Sequence, residues 1–205
     1  AGVDHVQAGA IPLAALTAYQ ALVDTADVRP GQRVLIHAAA GGVGHLAVQI
    51  AKSRGAYVLG TASAAKHGFL RSLGVDEPID YHTVDVAETV TDIDVVLDPI
   101  SSDAEGRARS RAVLRPGGLV VSIVPTRISP DERAEVAEQG VRFESLLVEA
   151  DHAGMRAIAD LVETGALRAH IEAVFPLAEA AKAHALGETG RVTGKIVLTV
   201  QGAGE

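Results

Sequence analysis

The feature that most constrains this chain is an alternation. Short, nearly unbroken runs of Val, Leu and Ile are separated by helical patterns, over and over. Arg33–Ala38 (RVLIHA), Tyr57–Ala62 (YVLGTA), Pro78–Tyr81, Asp94–Ile100 (DVVLDPI), Leu119–Val124 (LVVSIV) and Val141–Val148 (VRFESLLV) are the six candidate strands. Between them the spacing predicts helices over Gly42–Arg54, Ala64–Leu73, Asp103–Leu114 and Asp131–Glu138. Runs that are apolar on both faces belong to parallel strands covered by helices. Right-handed crossovers then close an α/β, doubly wound sheet of six parallel strands. A helix from Pro12 to about Val23 leads in, and the segment before Ile11 reads as irregular.

The tail does not continue this pattern. A helix over Ala153–Gly165 is followed by a strand at His170–Phe175, a helix at Leu177–Leu186 and a strand at Lys195–Val200. Six strands complete the sheet without it. The expected division is the doubly wound domain with its entry helix over residues 1–150 and a separate C-terminal segment over 151–205.

The first strand runs into Ala38-Ala39-Ala40-Gly41-Gly42-Val43-Gly44. Ala39-x-Gly41-x-x-Gly44 is the dinucleotide fingerprint with alanine in its first place. Small residues are needed there. Backbone amides at a helix start must approach a pyrophosphate, and the helix must pack closely on the strand. Gly42 and Val43 are the expected amide donors. An NAD site usually carries an acidic residue at the end of the second strand for the ribose hydroxyls. Here that strand ends Gly60-Thr61-Ala62-Ser63-Ala64-Ala65-Lys66-His67, with no carboxylate. A hydroxyl at Ser63 and a cation at Lys66 suit a 2′-phosphate, so NADP(H) is the expected cofactor. His67 is expected at the surface, and His37 as a satisfied core imidazole.

Composition excludes several alternatives. With 18 basic against 26 acidic residues, the net charge is −8. Nucleic-acid binding needs a basic face, and three Phe, three Tyr and no Trp leave little for base stacking. No cysteine is present, so thiolate metal sites and cysteine nucleophiles are out. The histidines show no metal spacing, and no metal site is expected. No apolar run reaches the ~18 residues of a membrane helix, so a cytoplasmic protein is expected. No Tyr-x-x-x-Lys pair, nucleophile elbow or other self-contained catalytic set occurs, so the catalytic residues stay unassigned. Arg107, Arg109, Arg111 and Arg115 read as a solvated helix face.

The stretch HAAAGGVGHLAVQIAKSRGA resembles the zinc-independent medium-chain dehydrogenase/reductases, in their quinone oxidoreductase branch. IPLAALTAYQAL, LGVDEPIDY, LRPGGLVVSIV and FPLAEAAKAHALGETGRVTGKIVLTV are similar to further segments of that family, in its order, from about His5 to Val200. The resemblance implies NADPH-dependent hydride transfer to a quinone or an α,β-unsaturated carbonyl. Carried over by position, Gly41, Gly42, Val43 and Gly44 would hold the pyrophosphate, and Ser63 and Lys66 the 2′-phosphate. Tyr81 would lie beside the adenosine phosphate. Thr17 and Gln20 would face the nicotinamide and phosphate side. Ile100 and Val124 would line the nicotinamide pocket.

The family's N-terminal GroES-like domain is not in this sequence. The resemblance therefore implies that the tail belongs to an incomplete substrate domain, and that this chain is the cofactor-binding part of a longer protein. An NADPH-binding module without catalysis, or an enoyl-reductase domain of a multidomain synthase, are the competing readings. A homodimer through the edge strand 141–148 is expected, because pairing buries an open sheet edge.

Overall fold

The structure is a computed structural model and describes residues 3–200. The elements run in chain order α1 (His5–Ala10), α2 (Pro12–Tyr19), β1 (Arg33–Ile36), α3 (Gly44–Ser53), β2 (Tyr57–Ala62), α4 (His67–Ser72) and β3 (Glu77–Asp80). They continue with α5 (Val86–Thr89), β4 (Ile93–Asp98), α6 (Ala104–Ala112), β5 (Leu114–Ser122), α7 (Pro130–Glu138) and β6 (Arg142–Ser145). The last are α8 (His152–Glu163), β7 (Ile171–Pro176), α9 (Ala180–Glu188) and β8 (Lys195–Thr199).

Strands β1 to β6 form one parallel sheet in the order β3-β2-β1-β4-β5-β6, as the alternation requires. Successive strand residues bury on opposite faces. Val34, Ile36, Leu97 and Val121 pack with Leu22, Leu46, Ile50 and Ile158 on the face covered by α2, α3 and α8. Leu35, Leu59, Val96 and Val120 pack on the other face. The order reverses between β1 and β4, which opens a crevice at the carboxyl ends of the strands.

That other face corrects one expectation. Arg107 and Arg111 are buried rather than solvated. Both pair with the buried Glu132 of α7, Arg107 through two 2.8 Å bonds and Arg111 through one of 2.9 Å. Hydrogen bonding from Arg107, with its charge and that of Arg111, holds the Glu132 carboxyl below its ordinary range against the opposing effect of burial. The sequence places α6 and α7 side by side only through the sheet order, so four nearby arginines looked like a wet face. Arg109 and Arg115 do stay half exposed, on Asp85 and Asp94.

The beginning of the chain is a second correction. Residues before Ile11 are not irregular. Asp4 caps α1 by accepting from the Gln7 amide at 2.8 Å. The Gln7 side chain then donates to and accepts from the backbone of Ala169, 162 positions away. A single polar turn carried no apolar period, and its partners are remote.

Strand ends differ in a consistent direction. β1, β4 and β5 stop two residues short of their expected ends, and β6 stops at Ser145 rather than Val148. Past these ends the ladder gives out within a residue: Ile123 and Leu146 each donate a last bond, to Asp98 and Ser122. Beyond that point Ile100 lines the crevice, and Ile123, Leu146 and Val148 pack back on the core.

The tail forms its own two-stranded parallel sheet, β7 with β8, bridged by α9. Few of its side chains are buried. Val174, Leu177 and Leu198 are exposed.

Candidate functional site

The loop after β1 is built on close approach. Ala38 has a left-handed backbone, φ 47°, unusual for a residue with a Cβ. Its N–H donates to Thr61 Oγ1 at 3.0 Å, and Gly41 N–H turns back to the Ala38 carbonyl at 2.8 Å. A Cβ at Gly44 would lie 2.2 Å from the Ala38 carbonyl oxygen, so only glycine lets α3 start this near the strand. The Gly42 N–H has no protein partner among the described residues. It sits just before the first turn of α3, where unpaired amides and the helix dipole favour an anion.

Two adjoining cavities open on this loop, sharing Ala38, Thr61 and Tyr81. One, of about 470 Å³, is walled mainly by apolar groups, among them Val84, Val86, Ala87 and Ile100, with His37, Thr61, Ser101, Ser110 and Arg109 among its polar points. The other, of about 500 Å³, is lined by Gly41, Ser63, Lys66, Tyr81, His82 and Arg191, with no carboxylate among its lining residues.

The wall of the apolar cavity rests on Asp98, the last residue of β4, which is fully buried. Its Oδ1 accepts from the Ile100 and Ser101 amides at 3.0 and 2.9 Å, and its Oδ2 from Ser110 at 2.6 Å. Burial alone would raise this carboxyl. The hydrogen bonds, led by Ser110, outweigh it and hold the group below its ordinary range. His37 is half-buried on the cavity wall, with Nδ1 3.4 Å from Thr61 Oγ1. Burial lowers its pKa, with Asp98 acting in the opposite direction.

The tail supplies the rest of the polar cavity. Gly194 N–H donates to the Ala40 carbonyl at 2.9 Å, and Lys66 Nζ donates to the Val192 carbonyl at 2.9 Å. Gly194 holds φ 66°, and a Cβ there would lie 2.3 Å from the His170 carbonyl oxygen. The chain at 190–195 is thereby laid across the glycine loop. Lys195 follows, its side chain 3.4 Å from where a Gly42 Cβ would be.

Of the residues singled out in the sequence, Gly41, Ser63, Lys66 and Tyr81 are brought together on the polar cavity, with Gly42, Val43 and Gly44 beside it. Ile100 stands with Tyr81 on the apolar cavity. Val124 follows β5, its amide 3.3 Å from Ser122 Oγ. Thr17 and Gln20 line neither cavity. Thr17 Oγ1 donates to Leu13 one turn back, and the Gln20 amide clamps both backbone groups of Glu149. His67 is half-buried, not on the surface, with Nε2 enclosed and unpartnered among the described residues.

Sequence reasoning missed Arg191, Val192 and Lys195. The basic residues of GRVTGK were visible, but nothing in their spacing says that this loop returns to residue 40.

A glycine loop at the switch point of a parallel sheet, beside one apolar and one cationic cavity, defines a dinucleotide-binding α/β protein. The chain belongs to the zinc-binding dehydrogenase family, whose model matches residues 73–198. It is 36% identical to a 2-haloacrylate reductase of a Burkholderia species, over 97% of this chain and 64% of that protein. It is 40% identical to the polyketide synthase GfsB of Streptomyces halstedii, over 95% of this chain and 4% of that one. Among solved structures, the quinone oxidoreductase of Coxiella burnetii superposes with a TM-score of 0.87 at 38% identity, covering 97% of this chain and 62% of that one. The chain thus spans less than two thirds of the length of these relatives. The family's description names zinc. This chain has no cysteine, and the described residues bring together no three His, Asp or Glu side chains that could hold an ion. The donor set does not fit, and no chemistry is routed through a metal here.

Proposed function

We propose that this chain is the cofactor-binding part of a zinc-independent, NADP(H)-dependent oxidoreductase acting on a quinone or an α,β-unsaturated carbonyl. The observation that carries the cofactor choice is the polar cavity. Ser63, Lys66, Tyr81 and Arg191 line it and no carboxylate does. A 2′-phosphate offers negative charge and acceptor oxygens to such a set, whereas a free 2′-hydroxyl has no acidic partner there. The neighbouring apolar cavity suits the adenine ring, with Tyr81 on its wall; Ile100, expected at the nicotinamide pocket, lines this cavity and in this reading serves the adenine side instead. Gly41, Gly42, Val43 and Gly44 would hold the pyrophosphate, with Lys195 at hand. In this reading Val124, Thr17 and Gln20 belong to the nicotinamide side, the last two acting through the packing of α2.

When bound, the dihydronicotinamide supplies a hydride. The described residues offer no catalytic set of their own, so their part is to position the two reactants and exclude water. The reductases among the relatives support the reaction class. The polyketide synthase relative favours a second reading, an enoyl-reductase unit, whose substrate is also an alkene conjugated to a carbonyl. No helix among the described residues is long and apolar enough to cross a membrane. We place the protein in the cytoplasm, as a homodimer through β6, whose ladder is open on one side.

Fluorescence titration separates the cofactors. NADPH is expected to bind at least about tenfold more tightly than NADH, the worth of one charge-assisted hydrogen bond. Equal or tighter NADH binding would overturn the assignment of Ser63, Lys66 and Arg191. A monomeric sedimentation profile at micromolar concentration would remove the dimer.

A further inference from the structure

His45, the second residue of α3, is fully buried. A buried imidazole needs partners for both nitrogens. Nδ1 lies 2.7 Å from the Gly41 carbonyl oxygen, which only accepts, so Nδ1 carries the proton. Nε2 lies 3.2 Å from the His170 backbone nitrogen, which only donates, so Nε2 is bare. The contacts themselves fix one neutral tautomer.

The Gly41 carbonyl also accepts from the His45 backbone N–H at 3.2 Å. Held by two donors of one residue, it cannot swing. In a trans peptide the carbonyl of one residue and the N–H of the next point in opposite directions. Fixing the Gly41 carbonyl toward α3 therefore turns the Gly42 N–H away from the helix, to the open side of the loop. That N–H, like that of Val43 beside it, has no protein partner among the described residues. On its other side the ring holds His170. The His170 carbonyl in turn accepts from Lys195 N–H at 2.9 Å, next to the Gly194 bond to Ala40. One imidazole thus stands at the joint between the glycine loop and the tail that crosses it. The titratable groups facing it are His170, itself 3.8 Å from Glu172, and Lys195. Neither would stabilise a protonated ring. A packing role alone would be served by leucine and would not occupy both nitrogens.

We propose that His45 is a positioning residue: through Gly41 it aims the Gly42 amide at the pyrophosphate, and through His170 it fixes the 190–195 segment over the same site. This rests on the dinucleotide reading above.

The test uses calorimetry on the 205-residue chain with two ligands. NADP⁺ carries the pyrophosphate, whereas adenosine 2′-monophosphate has the base and 2′-phosphate without it. His45→Leu is expected to weaken NADP⁺ about tenfold, as loss of a hydrogen bond to a charged group does, and the monophosphate less than about twofold. His45→Gln can donate to Gly41 and accept from His170, and is expected to recover most of the loss. Unchanged NADP⁺ affinity in a folded His45→Leu protein, or equal weakening of both ligands, would overturn the proposal. Failure of the wild-type chain to bind either ligand has a different signature and would sink the dinucleotide reading itself, and this proposal with it. Nitrogen-15 NMR of the wild-type ring needs no variant to fold. The Nδ1–H tautomer is expected at neutral pH, and an Nε2–H or doubly protonated ring would contradict it.

Discussion

The six-stranded sheet and the two-stranded tail are built from similar residues and differ in what those residues touch. Val34, Leu35, Ile36 and Leu97 are shut in between helices on both faces. Val174 and Leu198, at comparable positions of parallel strands, face solvent. A two-stranded sheet is at best marginally stable by itself in water. The tail is instead stapled to the rest by backbone-directed polar contacts: Gln7 with Ala169, Gln49 with Arg168, His45 with His170 and Gly194 with Ala40. One region is held by burial on both sheet faces; the other joins a smaller apolar contact, through Leu167, Ala169, Ile171 and Val197, to hydrogen bonds with its neighbour. The cationic cavity lies where the two meet.

Substitutions in the two regions should therefore have unequal effects. Leu97→Ala removes a fully buried side chain and is expected to cost about 3–4 kcal/mol by urea unfolding. Leu198→Ala, on the exposed side of β8, is expected to stay within about 0.5 kcal/mol. Similar losses at the two positions would erase the distinction.

Polar burial inside the first region sharpens the same contrast. Glu132→Gln would leave Arg107 and Arg111 buried without their shared anion, and an expected cost of about 3 kcal/mol follows. A change below about 0.5 kcal/mol would show that the pair is solvated after all. Arg109→Ala, which loses only a half-exposed contact to Asp85, is the control.

The joint between the regions predicts an acid response. Burial, with His170 and Lys195 adding to it against the Gly41 bond, pushes His45 down to about 4 from its ordinary 6.5. Between those values the unfolded chain takes up a proton that the folded chain refuses. Stability from this group is complete above pH 6.5 and is lost as the pH falls toward 4. The integrated loss is about 3 kcal/mol at 1.36 kcal/mol per unit. Other carboxylates titrate in this window, so the measurement is the difference between wild type and His45→Gln. Parallel curves for the two proteins would contradict it.

The sheet was legible because apolar runs on both faces have one common solution, and the glycine loop because its residues stand in sequence order. The rest of the site was not. Arg191 reaches the cavity only because Gly194 takes a left-handed turn against His170 and meets Ala40, a contact across 154 positions. Arg107 and Arg111 carried the marks of a surface until α7 was laid beside them. Ile100 and Leu146 look like strand residues in the sequence. Both lie past the strand ends: Ile100 lines the crevice, and Leu146 packs back on the core.

That the two regions together form one nucleotide site is tested most directly by hydrogen–deuterium exchange with and without saturating NADP⁺. Slowed exchange is expected in 38–44 and 61–66 and also in 190–195 of the tail. Protection confined to the two sheet loops, with 190–195 unchanged, would contradict it.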